Sequence, residues 1–285
     1  MPDVFSDREG LSVNGVRGYL SYLLKVLGGG VGSQTGHNGP VTRCAVAFDE
    51  SLTTCWRNRI YPDYKANRPP ADENIRQQLD RCQAVTSLLG VPVLADLEFE
   101  ADDFIATLAR QSTGPVVIVS RDKDLNQLVD DRVRLLDPKD DSLRGAREFL
   151  AEFGFAPSLF PDYQALTGDS VDNIPGIRGI GPKAAGRLVT NFEALEDIYA
   201  AEDRWADAGL KAGSKLAERL KEERDQAFLF RQVLRLDDEV ALALQLGDPR
   251  VTPPALPALT SGLAELRLDG TLGQAIDHAL ERFLA

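Results

Sequence analysis

Three short acidic clusters are the residues best placed to do chemistry: Glu100-Ala-Asp102-Asp103, Asp122-Lys-Asp124 and Asp169-Ser-Val-Asp172. Asp49 stands apart as a fourth source of carboxylate. Hard cations such as Mg²⁺ take oxygen ligands of this kind, usually keeping waters and substrate phosphates as well. Two such ions, about 3.5–4 Å apart, activate a water and stabilise both oxygens of an in-line phosphoryl displacement. A site of that sort needs carboxylates brought together from several separate elements. Taken singly, each cluster reads equally well as a helix N-terminus that favours acids, or as a solvated loop. Their combination favours the metal reading.

A second stretch runs Asp172-Asn-Ile-Pro-Gly176-Ile-Arg178-Gly179-Ile-Gly181-Pro-Lys183-Ala-Ala. Glycines flanking an apolar residue before a helix leave backbone N–H groups open to a phosphate, assisted by the helix N-terminus. Arg178, Lys183 and Arg187 add positive charge, and no acid lies between Arg178 and Arg187. Gly176 and Gly181 have the glycine spacing of a nucleotide-binding P-loop, but Pro182 precedes the lysine and alanine follows it, which argues against that site. A hairpin between two helices that grips a nucleic-acid backbone suits these residues better than a tight turn with no ligand. A third stretch, Arg57 to Arg68, mixes bases with aromatics (Tyr61, Tyr64, Lys65) and could neutralise phosphates and stack bases. By itself it reads equally as a solvated charged face.

The elements that would position these residues follow from periodicity. Val16 to Leu27 reads as an amphipathic helix, followed by a glycine-rich loop, GGGVGSQTGHNGP. CAVAFDE reads as a buried strand that delivers Asp49 at its end. WRNRIYPDYKANRPPADE should be irregular or only partly helical because of its prolines. Then come a helix from about Ile75 to Leu89, the strand VPVLA, a helix from Glu100 to Ala109, the strand VVIV at Val116 to Val119, a helix closing at LVDD, and the strand VRLLD. Strands alternating with helices predict α/β architecture with a mostly parallel sheet. Ligands of such sheets bind beyond the carboxyl ends of the strands, where Asp49, Glu100, Asp102, Asp103, Asp122 and Asp124 all fall. After Phe155 helices dominate, so the expected domains are a catalytic one over 1–155 and a helical one over 156–285. VTPPALPAL reads as a connector before a last helix at about Leu272 to Phe283.

Composition bounds what this chemistry can be. The chain has 285 residues, 44 acids against 32 bases, and a net charge of −12. That balance disfavours a protein that coats DNA through many lysines and arginines, but not an enzyme whose acids gather around metal ions. Cys44, Cys55 and Cys82 are unpatterned, which argues against disulfides and zinc fingers. With only His37 and His278, a Ser-His-Asp triad or a histidine metal site is disfavoured. No apolar run approaches the roughly 20 residues of a membrane helix. The N-terminal residues lack the pattern of a signal peptide. A soluble, cytoplasmic, monomeric protein with no membrane partner is expected.

In this order and spacing the motifs resemble the bacterial 5′ nuclease family, that of the 5′–3′ exonuclease domain of DNA polymerase I and the free-standing flap endonucleases. The matching residues are FDE (Phe48–Glu50), YPDYKANRP (Tyr61–Pro69), EADD (Glu100–Asp103), SRDKDLNQL (Ser120–Leu128) and LTGDSVDNIPGIRGIGPKAA (Leu166–Ala185). The resemblance implies a PIN-like domain with a mostly parallel central sheet, followed by a helix-3-turn-helix module. It implies two-metal hydrolysis of DNA phosphodiesters, with Mg²⁺ as cofactor and Mn²⁺ able to substitute. One ion would draw on Asp49, Glu100, Asp102 and Asp103, and the other on Asp122, Asp124, Asp169 and Asp172. Lys65 and Arg68 match the family's helical arch, where Lys65 would stabilise charge near the scissile phosphate. A K⁺ ion would bind the backbone carbonyls of Leu166, Thr167, Pro175, Ile177 and Ile180. With Arg178, Gly179, Ile180, Gly181, Pro182, Lys183 and Ala184 it would contact duplex DNA, selecting flaps, ends and junctions by shape rather than sequence.

One departure stands out. Family members begin with a strand carrying a VDG-like metal-ligand aspartate, whereas this chain opens MPDVFSDREGLSVNGVRG, and neither Asp3 nor Asp7 follows a strand. Either the start is misplaced or the protein lacks one ligand and one central strand, and with no polymerase domain following Ala285 the expectation is a stand-alone nuclease or a fragment. The alternative reading is a flap-DNA-binding protein whose cleavage is impaired because that aspartate is absent. An RNA-directed nuclease is a third, weaker reading on fold analogy.

Overall fold

The computed structural model describes residues 13–31, 35–36, 41–50, 54–69, 72–241, 249–252 and 256–266. His37, His278, most of the glycine loop and the expected helix at Leu272 to Phe283 lie outside them. Two compact units interleave along the chain. One is built from described residues of Met1–Phe48, Pro69–Ala95 and Leu242–Ala285, and the other from Asp49–Arg68 and Asp96–Ala241.

In the first unit, the helix Asn14–Leu27 buries Val16, Leu20, Leu23, Leu24 and Leu27. These positions recur at helical spacing and form one apolar stripe. The helix Glu73–Leu88 starts at Asp72, whose side chain accepts the Asn74 N–H at 2.8 Å, an N-cap that satisfies one of the free donors of the first turn. Strand β1 (Val46–Asp49) pairs with β2 (Val93–Asp96). Phe48, Val85, Leu89 and Leu259 share the core between them. Leu259 belongs to a helix, Leu256–Glu265, where the sequence reads as a proline connector. Pro257 falls in its first turn, where a residue without an N–H breaks no intrahelical bond.

In the second unit, β3 (Val116–Val119) runs parallel to β4 (Val133–Leu136), with Val116 opposite Val133 and Val119 opposite Leu136. β4 then pairs antiparallel with β5 (Leu143–Arg144), which periodicity did not reveal. The described strands thus form one pair and one mixed three-stranded sheet. The antiparallel return is made by a turn of aspartates. Asp137 accepts the Lys139 N–H at 2.8 Å, Asp140 accepts the Ser142 N–H at 2.9 Å, and Asp141 adopts a left-handed φ of 57°. The helix expected to close at LVDD is a 3₁₀ turn, Asp124–Leu128. Beyond β5 the unit is helical. Phe149, Phe155 and Phe160 pack with Leu166, Ile177, Leu188, Trp205 and Phe230 in one continuous core. The hairpin that carries Asp169 and Asp172 follows the helix Phe160–Thr167, whose Gln164 donates to Asp124 Oδ1 at 2.6 Å.

Candidate metal centre and nucleic-acid interface

The acids converge within the second unit. Asp49, at the end of β1, accepts the Ala101 N–H at 2.7 Å, at the start of the helix Ala101–Gln111. Glu100 is that helix's N-cap and Asp102 lies in its first turn. Asp122 and Asp124 follow β3, and Asp122 Oδ1 accepts the Asp124 N–H at 2.9 Å. Asp169 and Asp172 lie in the hairpin after the helix Phe160–Thr167, where Asp169 and Ile174 exchange two backbone bonds of 2.7 Å. Asp124, Asp169 and Asp172 each offer a carboxylate oxygen within 4.8 Å of the others, a group able to hold a metal ion. Glu100, Asp102, Asp122, Asp124 and Asp172 line one cleft together with Arg57, Tyr64 and Lys65.

The crowding leaves an electrostatic signature. Burial first, then the neighbouring charges of Asp122, Asp49 and Asp124, pushes the Asp102 carboxyl well above its usual range. Burial and Asp122 push Asp124 up to about 7, although the Gln164 amide works against them. Burial also raises Asp172. Like charges held this close favour either protons or a cation between them. The donors are all oxygen, with no sulfur or imidazole, so the group fits a hard divalent ion such as Mg²⁺.

Protein cations already reach into the cluster. Lys65, expected to face a phosphate, is 8% exposed, and its ammonium pairs with Glu100. Its φ is 54°, a left-handed conformation rare for a non-glycine residue, and its N–H is donated to the Asp172 carbonyl at 3.0 Å. Arg68 Nη2 pairs with Asp172 Oδ1 at 2.7 Å. Tyr64 donates its hydroxyl to Glu100 Oε2 at 2.9 Å. Lys123 Nζ lies 2.9 Å from Asp169 Oδ2.

Asp103 is the exception among the expected ligands. It is fully buried, and both its oxygens are committed to the Arg57 guanidinium at 2.7 Å. It also accepts from Trp56 Nε1 at 3.1 Å and from the N–H groups of Glu100 at 3.2 Å and Asp237 at 2.9 Å. Burial would raise its pKa, but Arg57 outweighs burial and holds it below the usual carboxylate range. A carboxylate with five donors has little left for a metal, so Asp103 supports the fold. The Glu100-x-x-Asp103 spacing is that of a capping box, a signal that could have assigned it. Arg57, read as a phosphate contact, is instead 2% exposed and bridges Asp103, Glu100 and the Val233 carbonyl. Gln164, which donates to Asp124 Oδ1 at 2.6 Å, gave no signal in the sequence.

The glycine hairpin forms as a close backbone crossing. Ile177 N donates to the Leu166 carbonyl, and Ile180 N to the Ile177 carbonyl, each at 2.9 Å. Thr167 and Pro175 meet at Gly168 and Gly176, both at positive φ, where an added Cβ would lie within 2.6 Å of the facing backbone. Gly181 caps the helix Pro182–Phe192, with Pro182 at its first position. Arg178, Gly179, Gly181, Pro182 and Lys183 are exposed, Ala184 is half-buried, and Ile180 turns its side chain inward. Arg219, on the helix Lys215–Glu222, donates to the Arg178 carbonyl at 2.8 Å and steadies the turn.

An α/β unit with an oxygen-only acidic cleft, continuous with a helical part that presents a glycine hairpin, defines the class of metal-dependent nucleases. A model of the 5′–3′ exonuclease N-terminal resolvase-like domain matches residues 1–154, and one of the 5′–3′ exonuclease C-terminal SAM fold matches residues 155–256. The chain belongs to the 5′–3′ exonuclease family. DNA polymerase I of Pseudomonas aeruginosa is 36% identical over 246 residues, which cover 85% of this chain and 27% of that protein. DNA polymerase I of Rhizobium leguminosarum is 36% identical over 284 residues, covering 99% and 27%. The chain therefore spans about a quarter of the length of these relatives. In fold it is similar to the zinc-bound T5 5′-exonuclease, with a TM-score of 0.63 at 19% identity, covering 95% of this chain and 92% of that one. It is also similar to the catalytic core of Rad2 in complex with DNA substrate, with a TM-score of 0.56 at 16% identity, covering 97% and 85%. No helix among the described residues is long and apolar enough to cross a membrane.

Proposed function

We propose that this chain hydrolyses DNA phosphodiesters at 5′ flaps, ends and single-strand/duplex junctions, as a 5′–3′ exonuclease and flap endonuclease. The observation that carries the reading is the meeting of Asp124, Asp169 and Asp172 within 4.8 Å, beside a cleft shared with Glu100, Asp102 and Asp122. Mg²⁺, or Mn²⁺ in its place, supplies when bound an activated water and charge stabilisation for the leaving oxygen. Asp49, Glu100 and Asp102 would hold one ion, and Asp122, Asp124, Asp169 and Asp172 the other. Lys65 and Arg68 bring positive charge into a cleft that would otherwise repel a phosphodiester, which supports their role at the substrate.

The hairpin supplies positioning. Arg178 and Lys183 are exposed around the start of the helix Pro182–Phe192, an arrangement suited to phosphates of either strand without reading bases. The Leu166 and Ile177 carbonyls each accept one backbone bond and keep a second lone pair. That supports a K⁺ site there with Thr167, Pro175 and Ile180. The division of labour we assign is catalysis over 1–155 and DNA binding over 156–285, with Asp169 and Asp172 reaching back into the cleft. The setting is DNA replication and repair in the bacterial cytoplasm, by a monomer. A labelled 5′-flap duplex incubated with and without Mg²⁺ tests the reading. Cleavage near the junction that EDTA abolishes is expected, and binding without turnover at any Mg²⁺ or Mn²⁺ concentration would leave the flap-binding alternative in its place.

A further inference from the structure

Gln164 sits on the helix Phe160–Thr167 and is 3% exposed. Its Nε2 donates to Asp124 Oδ1 at 2.6 Å. That contact fixes the orientation of the amide, because a carboxylate accepts and only the NH₂ end of glutamine donates. The other end, Oε1, is buried and has no hydrogen-bond partner among the described residues. A buried amide oxygen left unpaired opposes folding, and an apolar side chain of similar volume would carry no such burden. The carboxylates of Asp124, Asp169 and Asp172 are acceptors and cannot satisfy it. Asp169 Oδ2 differs, because the Lys123 ammonium pairs with it at 2.9 Å. The Gln164 oxygen calls for a donor that the described side chains do not provide.

We infer that Gln164 is a positioning residue of this metal centre. Its Nε2 sets the direction of the Asp124 carboxylate, and its Oε1 would accept a hydrogen bond from a water on the ion that Asp124, Asp169 and Asp172 would hold. The inference rests on the proposal that these three carboxylates bind a divalent ion. Groups that orient a ligand and accept from its partners typically change metal affinity about 10–100-fold when removed.

The test is Mn²⁺ and Mg²⁺ titration calorimetry on the full chain, wild type against Gln164→Met and Gln164→Leu. Melting in EDTA and in Mg²⁺ is followed in parallel. Met keeps the length without a polar atom, and Leu is the second variant should one of them fail to fold. A folded variant should bind Mn²⁺ about tenfold more weakly and lose part of the metal-induced rise in Tm. A folded variant with wild-type affinity and a wild-type rise would overturn the inference and leave Gln164 as packing alone. Failure of the wild type to bind either ion would instead remove the metal reading on which the inference depends.

Discussion

At the scale of single residues, neighbouring carboxylates in one sequence motif do opposite work. Asp122 and Asp124 follow β3, where burial and the neighbouring Asp122 charge disfavour the ionised Asp124. Replacing either by asparagine should abolish Mg²⁺-dependent cleavage while leaving flap binding intact, with thermal stability unchanged or slightly raised as repulsion falls. Arg57 and Asp103 behave as structure. Arg57→Ala strands a fully buried Asp103 and should cost about 3–5 kcal/mol in urea denaturation. Wild-type stability for Arg57→Ala would show that the pair is dispensable. The acids that line the cleft were legible because strand ends deliver them to one edge. The roles of Asp103, Arg57 and Gln164 were not, because they depend on which partner arrives from 46 or 40 residues away. Charge alone made Arg57 look like a phosphate contact.

At the scale of elements, the hairpin is the most demanding piece of backbone. Gly176 has φ +66°, and a Cβ there would lie 2.2 Å from the Gly168 nitrogen. Gly176→Ala should therefore destabilise the protein by about 2–3 kcal/mol, read from its melting curve. An unchanged Tm would mean that the crossing opens freely. Lys183→Ala and Arg178→Ala leave that backbone in place and remove only charge. Each should weaken duplex binding equally for unrelated sequences and reduce the salt slope by about one. A change of sequence preference at constant affinity would contradict backbone recognition. Strong periodicity made the helices Asn14–Leu27 and Glu73–Leu88 readable within two residues of their observed starts. The helix Leu256–Glu265 was hidden by the proline-rich sequence around its start, of which Pro257 is accommodated in its first turn, and β5 by being two residues long.

At the scale of the molecule, a chain of net charge −12 must tie its surplus acids down. Arg231 joins three helices by pairing with Glu196 at 2.6 Å and with Asp162 at 3.0 Å. Its side-chain hydrogen bonds hold the Glu196 carboxyl down at about 2, against an ordinary value of 4.5. A depressed carboxylate contributes stability above its unfolded pKa and loses it as pH falls through the folded one. The contribution should thus be complete at neutral pH and disappear between about 4.5 and 2. Arg231→Met should lower stability at pH 7, by no more than about 1 kcal/mol from the half-exposed Glu196 pair itself, and flatten the acid limb of the Tm profile. An acid limb identical to wild type would assign the acid sensitivity elsewhere. The central claim is that the converged carboxylates hold ions that cut flapped DNA. Its most direct test is cleavage of one 5′-labelled flap duplex by wild type and Asp124→Asn at equal Mg²⁺, with binding of the same duplex measured in EDTA. The account predicts equal binding, Mg²⁺-dependent cleavage by the wild type and none by the variant, whereas equal cleavage by both would contradict it.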